Sequence, residues 1–496
     1  MSHIAPLHKK GSKALPVNYR PVSLTSHIIK IYERVLRKRL VAHLESNNLL
    51  CNQQHGFRSG HSCLTQLLHH FDDILVNLMD GKDTDSIYLD YAKAFDKVDH
   101  KLLVKKLHKY GVHPKLIKWI ESFLSDRTQN VVVDGHMSSS AHIISGVPQG
   151  TVLGPILFLI FINDIIDCIT SSTIRCFADD TRISKAISCE EDVALLQQDL
   201  DNVIHWSLKN NMTLHEDKFE YTCHYAAKSD LRELHELPFT TDVFHYRTSE
   251  DILFPVQQLR DLGVTVCSNS SWSTHIYSIT KKARQLAAWV LSVFHTRSTP
   301  VMLTLYQSMV RSLLEYCSPL WNPHKIMDIQ ELESVQRTFT SRIPECYGLD
   351  YWERLKKLDL MSLQRRRERY IILHMWKLLH GQTSNDLDVQ FYKRSRFGTL
   401  SKVPSMCRGS TLGHQSLYDN SFAVKGPKLW NSVPYHLNSI EEFATFKTKL
   451  TTFILSIPDN PPVKGYTAPN SNSLLAWRMD ASASALWGGQ PFDGPC

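Results

Sequence analysis

The chain has 496 residues, 43% of them apolar and 21% charged, with a formal net charge of +7. That composition excludes collagen-like and disordered classes and, at this length, leads us to expect two or three separately cored domains. The longest unbroken apolar run, Ile156 to Ile162, falls short of the roughly 20 residues a bilayer-crossing helix needs, and the start has no apolar leader segment, so an intracellular protein of the cytoplasm or nucleus without membrane partners is expected. The 11 cysteines are scattered, with no C-x-x-C and no paired Cys/His spacing, and read as reduced structural thiols.

Apolar residues at helical spacing from Ile28 to Leu50, with Arg34, Arg37, Lys38 and Arg39 among them, predict a basic amphipathic helix. A second helix is expected over Cys63 to Met79, followed by a short strand, Ser86 to Leu89, that ends at Asp90. Phe95, Val98, Leu102, Leu103 and Leu107 mark another helix, stopped by Gly111, and Gln129 to Val133 a strand. Ser145 to Gly150 is a turn-rich loop; Gly154-Pro155 then opens a buried helix to about Ile166. Residues 174 to 183 fit a hairpin with Asp179-Asp180 at its centre. The signal weakens beyond Trp206. From Trp272 to His380 the pattern is helical and basic, with Leu303, Leu305, Met309, Leu313 and Leu314 as one apolar face and Arg365, Arg366, Arg367 and Arg369 in a later helix. After Pro458 the Pro, Ser, Asn and Gly content predicts disorder.

Charge follows this order unevenly: +9 over residues 1 to 120, −12 over 121 to 274, +8 over 275 to 400 and +2 thereafter. Two basic flanks around an acidic centre suit a polyanion gripped on both sides of a metal-holding site, although charge blocks are also ordinary solvated surface. A sheet pairing the two strand ends would bring Asp90, Asp179 and Asp180 to one edge. Two charges about 4 Å apart repel by about 4 kcal/mol at an effective dielectric near 20, which a divalent cation would offset. Carboxylate oxygens are what Mg²⁺ prefers, and a pair of ions can clamp an in-line phosphoryl displacement.

These pieces stand in the order of a known family. Asn18-Tyr-Arg-Pro-Val-Ser-Leu24, Gln54-His-Gly-Phe-Arg-Ser-Gly-His-Ser-Cys63, Leu89-Asp-Tyr-Ala-Lys-Ala-Phe-Asp-Lys-Val-Asp-His100, Gly146-Val-Pro-Gln-Gly-Thr-Val-Leu-Gly-Pro155, Phe177-Ala-Asp-Asp180 and Asp261-Leu-Gly-Val264 together resemble the reverse transcriptase of non-LTR (LINE-type) retrotransposons, the jockey-like and chicken-repeat-like elements above all. Leu332 to Thr340 and Lys428 to Pro434 are similar to that family's thumb and C-terminal regions, so the likeness runs from about residue 4 to 456.

The resemblance implies an α+β right-hand polymerase: fingers and palm over 1–270, a helical thumb over 271–380, a C-terminal extension over 381–456 and a disordered tail over 457–496. It implies RNA-directed DNA polymerase activity on an RNA template and DNA primer with dNTPs, using Mg²⁺ or alternatively Mn²⁺. Asp90, Asp179 and Asp180 match the metal-binding aspartates, and Phe95 the aromatic that blocks a 2′-hydroxyl. Gln149 and Gly150 match the loop beneath the incoming nucleotide, Arg58 (with Arg20 as companion) a triphosphate contact, and Lys218 the lysine that protonates pyrophosphate. Where the family continues with a short apolar strand, this chain reads Phe219-Glu-Tyr-Thr-Cys-His-Tyr-Ala-Ala227, which puts the lower palm in question. Neither the endonuclease domain nor the outer fingers of such elements is expected ahead of the match, nor a zinc knuckle after it. The rivals are a catalytically inactive remnant that only binds nucleic acid and a two-metal nuclease, which would need a water-activating group near the three aspartates.

Overall fold

The computed structural model describes residues 2–9, 11–226, 245–249, 251–384, 412–465 and 471–479. Strands β1 (Ser2–His8) and β2 (Tyr19–Leu24) form an antiparallel hairpin that sets Leu7 opposite Arg20. Helix α1 (His27–Ser46) is capped by Ser26, but it buries only Glu33, Leu40 and Leu44, so the amphipathic pattern serves the core in its second half alone. Helix α2 (Cys63–Met79) and strand β3 (Asp83–Leu89) come where expected. The next helix is split in two, α3 (Ala94–Lys97) and α4 (His100–Lys109), because the Asp99 carboxylate accepts a hydrogen bond from the Leu102 N–H and restarts the helix.

Helix α5 (Pro114–Leu124) leads to β4 (Arg127–Val133), β5 (His136–Met137) and β6 (Ala141–Ile143). In α6 (Gly154–Ile162) every residue but Pro155 is buried, each large apolar side chain contributing about 1.5–3 kcal/mol of burial. Its α geometry stops at Ile162, and tighter turns carry Asn163–Cys168. Strands β7 (Thr173–Phe177) and β8 (Asp180–Ile187), helix α7 (Glu190–Lys209) and strand β9 (Glu220–His224) follow. One sheet runs β2-β1-β4-β5 with β6 also on β4, and the other runs β7-β8-β3-β9. The segment that departs from the family pattern is thus a strand after all: Tyr221, Thr222, Cys223 and His224 are all buried, so the sheet, not local hydropathy, makes it one.

Then come the hairpin β10 (Gln258–Asp261) and β11 (Val264–Cys267) and helices α8 (Ser273–Val293), α9 (Thr299–Leu305), α10 (Arg311–Glu315), α11 (Ser318–Trp321) and α12 (Ile326–Thr340). Beyond these lie α13 (Tyr351–Lys357), α14 (Leu363–Leu379), α15 (Leu412–Asp419), α16 (Phe422–Ser432), α17 (Tyr435–Asn438), α18 (Phe443–Leu455) and α19 (Leu474–Met479). Among the described residues, no helix is long and apolar enough to cross a membrane.

The chain divides into two compact units: Met1–Ser62 with Thr84–Cys223 and Leu231–Val256, and Cys63–Asp83 with His224–Asp230 and Gln257–Cys496. Helix α2 leaves its sequence neighbours for the second unit, where it packs on α11 and α15. In that unit α16 and α18 pack on α14, so helices before and after residue 380 share one core.

Two further expectations are corrected here. The apolar stripe of α9 and α10 is Met302, Tyr306, Val310 and Leu314, all fully buried, not Leu303, Leu305, Met309 and Leu313; a π turn at Tyr306–Val310 keeps the spacing at four. The residues after Pro458 are held as far as they are described. The Asp459 carboxylate accepts from the Ser362 N–H and from Asn472 Nδ2, Asn472 is buried, and the Leu474 N–H donates to Glu368. Polar side chains buried against α14 supply the order that a Pro/Ser/Asn composition does not signal; residues 480–496 lie outside the described residues.

Candidate active site

All nine residues singled out from the sequence fall in the first unit. Asp90 follows β3 and is held in place by the returning chain, since its carbonyl accepts from the His215 N–H at 2.8 Å and the Ala92 N–H donates to Thr213 at 2.9 Å. Asp179 and Asp180 lie at the turn from β7 to β8, with Phe177 opposite Asp180. Strands β8 and β3 are neighbours in the sheet, so the three carboxylates meet in one electrostatic field. Burial and then the charge of Asp90 push the Asp179 carboxyl up. Burial and the charges of Asp179 and Asp90 push Asp180 up to about 6.

Lys218 reaches this group: its Nζ pairs with Asp90 Oδ2 at 2.9 Å. Among the described residues no three His, Cys, Asp or Glu side chains converge closely enough to cage an ion as they stand. The donor chemistry fits nonetheless. Three carboxylates sharing one field are the oxygen set a divalent cation takes, and such a cation would offset both the burial and the mutual repulsion that raise Asp179 and Asp180.

Phe95 is half-buried on α3. Its ring stacks on Phe158 at 4.4 Å and meets the edge of Phe57 at 6.2 Å. The loop expected beneath the nucleotide is pinned to the same short helix: the Gly146 N–H donates to Val98 O, the Val147 N–H to Phe95 O, and Gln149 Nε2 to Asp96 Oδ1 at 3.1 Å. A side chain on Gly146 would press into the Asp96 backbone at 2.8 Å. Gly150, at φ +98°, is needed for a close approach of another kind, because a Cβ there would sit 2.9 Å from the Ser23 carbonyl of β2. Phe95, Gln149 and Gly150 thus belong to one rigid assembly with β2. Glu33, unremarked in the sequence, supports it: its buried Oε2 accepts from the Val152 and Leu153 N–H groups at the start of α6.

Arg58 does not join them as the motif suggested. Its guanidinium donates to both oxygens of Glu45 and to the Cys51 carbonyl, and its side chain is 7% exposed. Besides Lys218 on Asp90, the cations whose charge acts on the carboxylates are Lys9, on Asp179 and Asp180, Arg20, on Asp179, and the buried Arg182, on Asp180. Lys9 follows β1 and Arg20 lies in β2, at the loop end of the hairpin where the Lys9 N–H donates to Asn18 O. Lys9 escaped the sequence reading because nothing local ties it to Asp179; the available signal was a basic residue two positions past Leu7, the residue opposite Arg20.

A family model described as reverse transcriptase (RNA-dependent DNA polymerase) matches residues 7–266. A probable RNA-directed DNA polymerase from transposon X-element of Drosophila melanogaster is 27% identical over 359 residues, 69% of this chain and 37% of that protein. The RNA-directed DNA polymerase from mobile element jockey of Drosophila melanogaster is 29% identical over 324 residues, 62% of this chain and 34% of that protein. The chain thus spans little more than a third of the length of either relative. Apo telomerase from Candida tropicalis aligns over 71% of this chain and 61% of its own at 10% identity and a TM-score of 0.41, too low a score to argue from.

Proposed function

The chain belongs to the reverse transcriptase (RNA-dependent DNA polymerase) family, and from that premise we propose that its first unit serves as palm and fingers, adding deoxynucleotides to a DNA primer 3′-hydroxyl on an RNA template. The observation that carries this reading is the placement of Asp90 just past the end of β3 and of Asp179 and Asp180 at the turn into the neighbouring strand β8. These three carboxylates would hold Mg²⁺ or Mn²⁺, which when bound would activate the primer hydroxyl and neutralise the leaving pyrophosphate. Lys9 and Arg20 are the cations placed to draw a triphosphate toward that group, as a guanidinium fork and an ammonium both suit phosphate. Arg58 instead fixes the loop that carries it to α1 through Glu45.

Phe95, braced by Phe158, is a rigid wall suited to exclude a 2′-hydroxyl, and Gln149 lies on the same short helix through Asp96. Lys218 is paired with Asp90 and would be free to pass a proton to pyrophosphate once that carboxylate turned to a cation. The second unit is read as thumb with C-terminal extension.

Primer extension by the purified chain on an RNA template, with and without Mg²⁺, tests the reading. Wild type should extend and Asp179→Asn should not, while melting temperature and primer–template affinity stay nearly equal. A wild-type chain that binds primer–template without extending it would instead support the inactive remnant, a reading that the pairing of Lys218 with Asp90 favours.

A further inference from the structure

The segment Gln54-His-Gly-Phe-Arg58 entered the argument only through its arginine, yet its glutamine makes the closest contact with the aspartate turn. Gln54 is 1% exposed. Its backbone runs beside β7: Gln54 bridges to Cys176, the His55 N–H donates to Cys176 O at 2.8 Å, and the Cys176 N–H donates to Gln53 O at 2.9 Å. The side chain then reaches past the strand end. Gln54 Oε1 accepts from the Gly56 N–H and from the Ala178 N–H, both at 2.8 Å, while Nε2 donates to the Ala178 carbonyl at 3.4 Å.

Ala178 is the residue immediately before Asp179, and it is left-handed, with φ +58°. A side chain bearing a Cβ is disfavoured there, so something must hold it. The carboxamide does so by satisfying both backbone groups of that one residue. The approach is so close that a Cβ at position 56 would fall 2.4 Å from Ala178 N, which explains the glycine two residues after Gln54. Phe57, itself left-handed at φ +55°, follows that glycine and sets its edge against Phe95. A neutral amide suits the place because a carboxylate there would add a buried charge beside Asp179.

We propose that Gln54 is a positioning residue for the polymerase reaction: its carboxamide holds the left-handed backbone at Ala178, and so fixes the direction in which Asp179 and Asp180 present their carboxylates. This rests on the function proposed above.

The test uses Gln54→Met, which keeps the length and apolar bulk of the side chain but removes the amide, alone and combined with Ala178→Gly, which relieves the left-handed strain without the clamp. In Gln54→Met, kcat for dNTP addition should fall by about ten- to a hundredfold, the range expected when reacting groups are misplaced by about 1 Å. The Mg²⁺ concentration giving half-maximal rate should rise, and primer–template Kd should not change. Adding Ala178→Gly should recover most of the lost kcat and metal affinity. A folded Gln54→Met with wild-type kcat and Mg²⁺ dependence overturns the inference, as does a loss that Ala178→Gly leaves unrecovered with Mg²⁺ dependence unchanged, which is the signature of a merely structural side chain. A wild-type chain that cannot extend primers at all overturns the polymerase reading instead.

Discussion

Phe95 is held between the stacked ring of Phe158 and the edge of Phe57, so its substitution has two separable effects. Phe95→Val should cost about 2 kcal/mol of stability through lost packing, read as a lower melting temperature. If the ring also walls off the sugar, the ratio of ribonucleotide to deoxynucleotide kcat/KM on one RNA template should rise at least about tenfold, because about 1.4 kcal/mol of steric exclusion is already tenfold. An unchanged ratio with a lowered melting temperature would leave Phe95 as packing only. The basic residues make a parallel contrast. Lys9→Ala and Arg20→Ala should raise KM for dNTP severalfold with little change in melting temperature, since neither is buried. Arg58→Ala should do the reverse, lowering the melting temperature because Glu45 and the Cys51 carbonyl lose their partner. Equal KM effects from all three would restore Arg58 as the triphosphate contact.

Helix α12 carries Glu333 into the second unit's core, where it is fully buried and accepts from the Tyr351 hydroxyl at 2.7 Å and the Gln364 N–H at 2.8 Å. Burial pushes its carboxyl up from 4.5 to about 7, against the pull of Arg367 and the two hydrogen bonds and with a further push from Asp459. The folded state therefore binds more protons than the unfolded one between these values. The stabilisation is fully present below about pH 4.5 and is lost as pH rises through about 7. At about 1.4 kcal/mol per unit, the loss is at most about 3 kcal/mol. Glu333→Gln, isosteric and neutral like the protonated acid, with its oxygen accepting from the Gln364 N–H and its amide donating to the Tyr351 hydroxyl oxygen, should flatten the fall in melting temperature between pH 5 and 8 and raise the midpoint at pH 8. An unaltered pH profile would mean that Glu333 stays ionised, compensated by Arg367. Partners packed around α14 explain why it is not a basic surface. Arg365 donates to the Pro458 carbonyl, Arg366 pairs with Glu315, Arg367 donates to Asn322 and Arg369 to Thr451, and three of these four arginines are buried.

For the molecule as a whole this removes part of one basic flank from any electrostatic grip on a polyanion. Arg34, Lys38 and Arg39 on α1 remain exposed. If they neutralise phosphates, log Kd against log salt should carry a slope of about 0.9 per contact on duplex DNA and about 0.7 on single strands. The double variant Arg34→Ala/Lys38→Ala should reduce that slope by about 1.4 to 1.8 with an unchanged melting temperature. Arg367→Ala should leave the slope alone and destabilise the fold by about 3–5 kcal/mol, as expected when a buried charge network loses a partner. A slope that drops with Arg367→Ala but not with the α1 double variant would reverse the assignment.

The sequence by itself determined the elements whose residues signal locally. Helix Cys63–Met79 is bounded where its apolar spacing begins and ends, the hairpin centres on Asp179-Asp180, and the all-apolar Ile156–Ile162 run is a buried helix. It also determined the family, because motif order along a chain is a one-dimensional property. Only the tertiary structure decided which unit each element joins: the apolar face of α2 finds its partners in α11 and α15, hundreds of residues downstream. It decided that Glu220–His224 is a strand, that the arginines of α14 point inward, and that Asp459 and Asn472 anchor a stretch whose composition predicts none of this. The site divides the same way. The aspartates were legible as residue types. That Lys9 acts on them and that Gln54 clamps the turn before Asp179 depends on approaches across more than a hundred residues, and that Arg58 turns to Glu45 on the packing of its loop against α1; in each, burial and hydrogen-bond geometry, not spacing, select the partner.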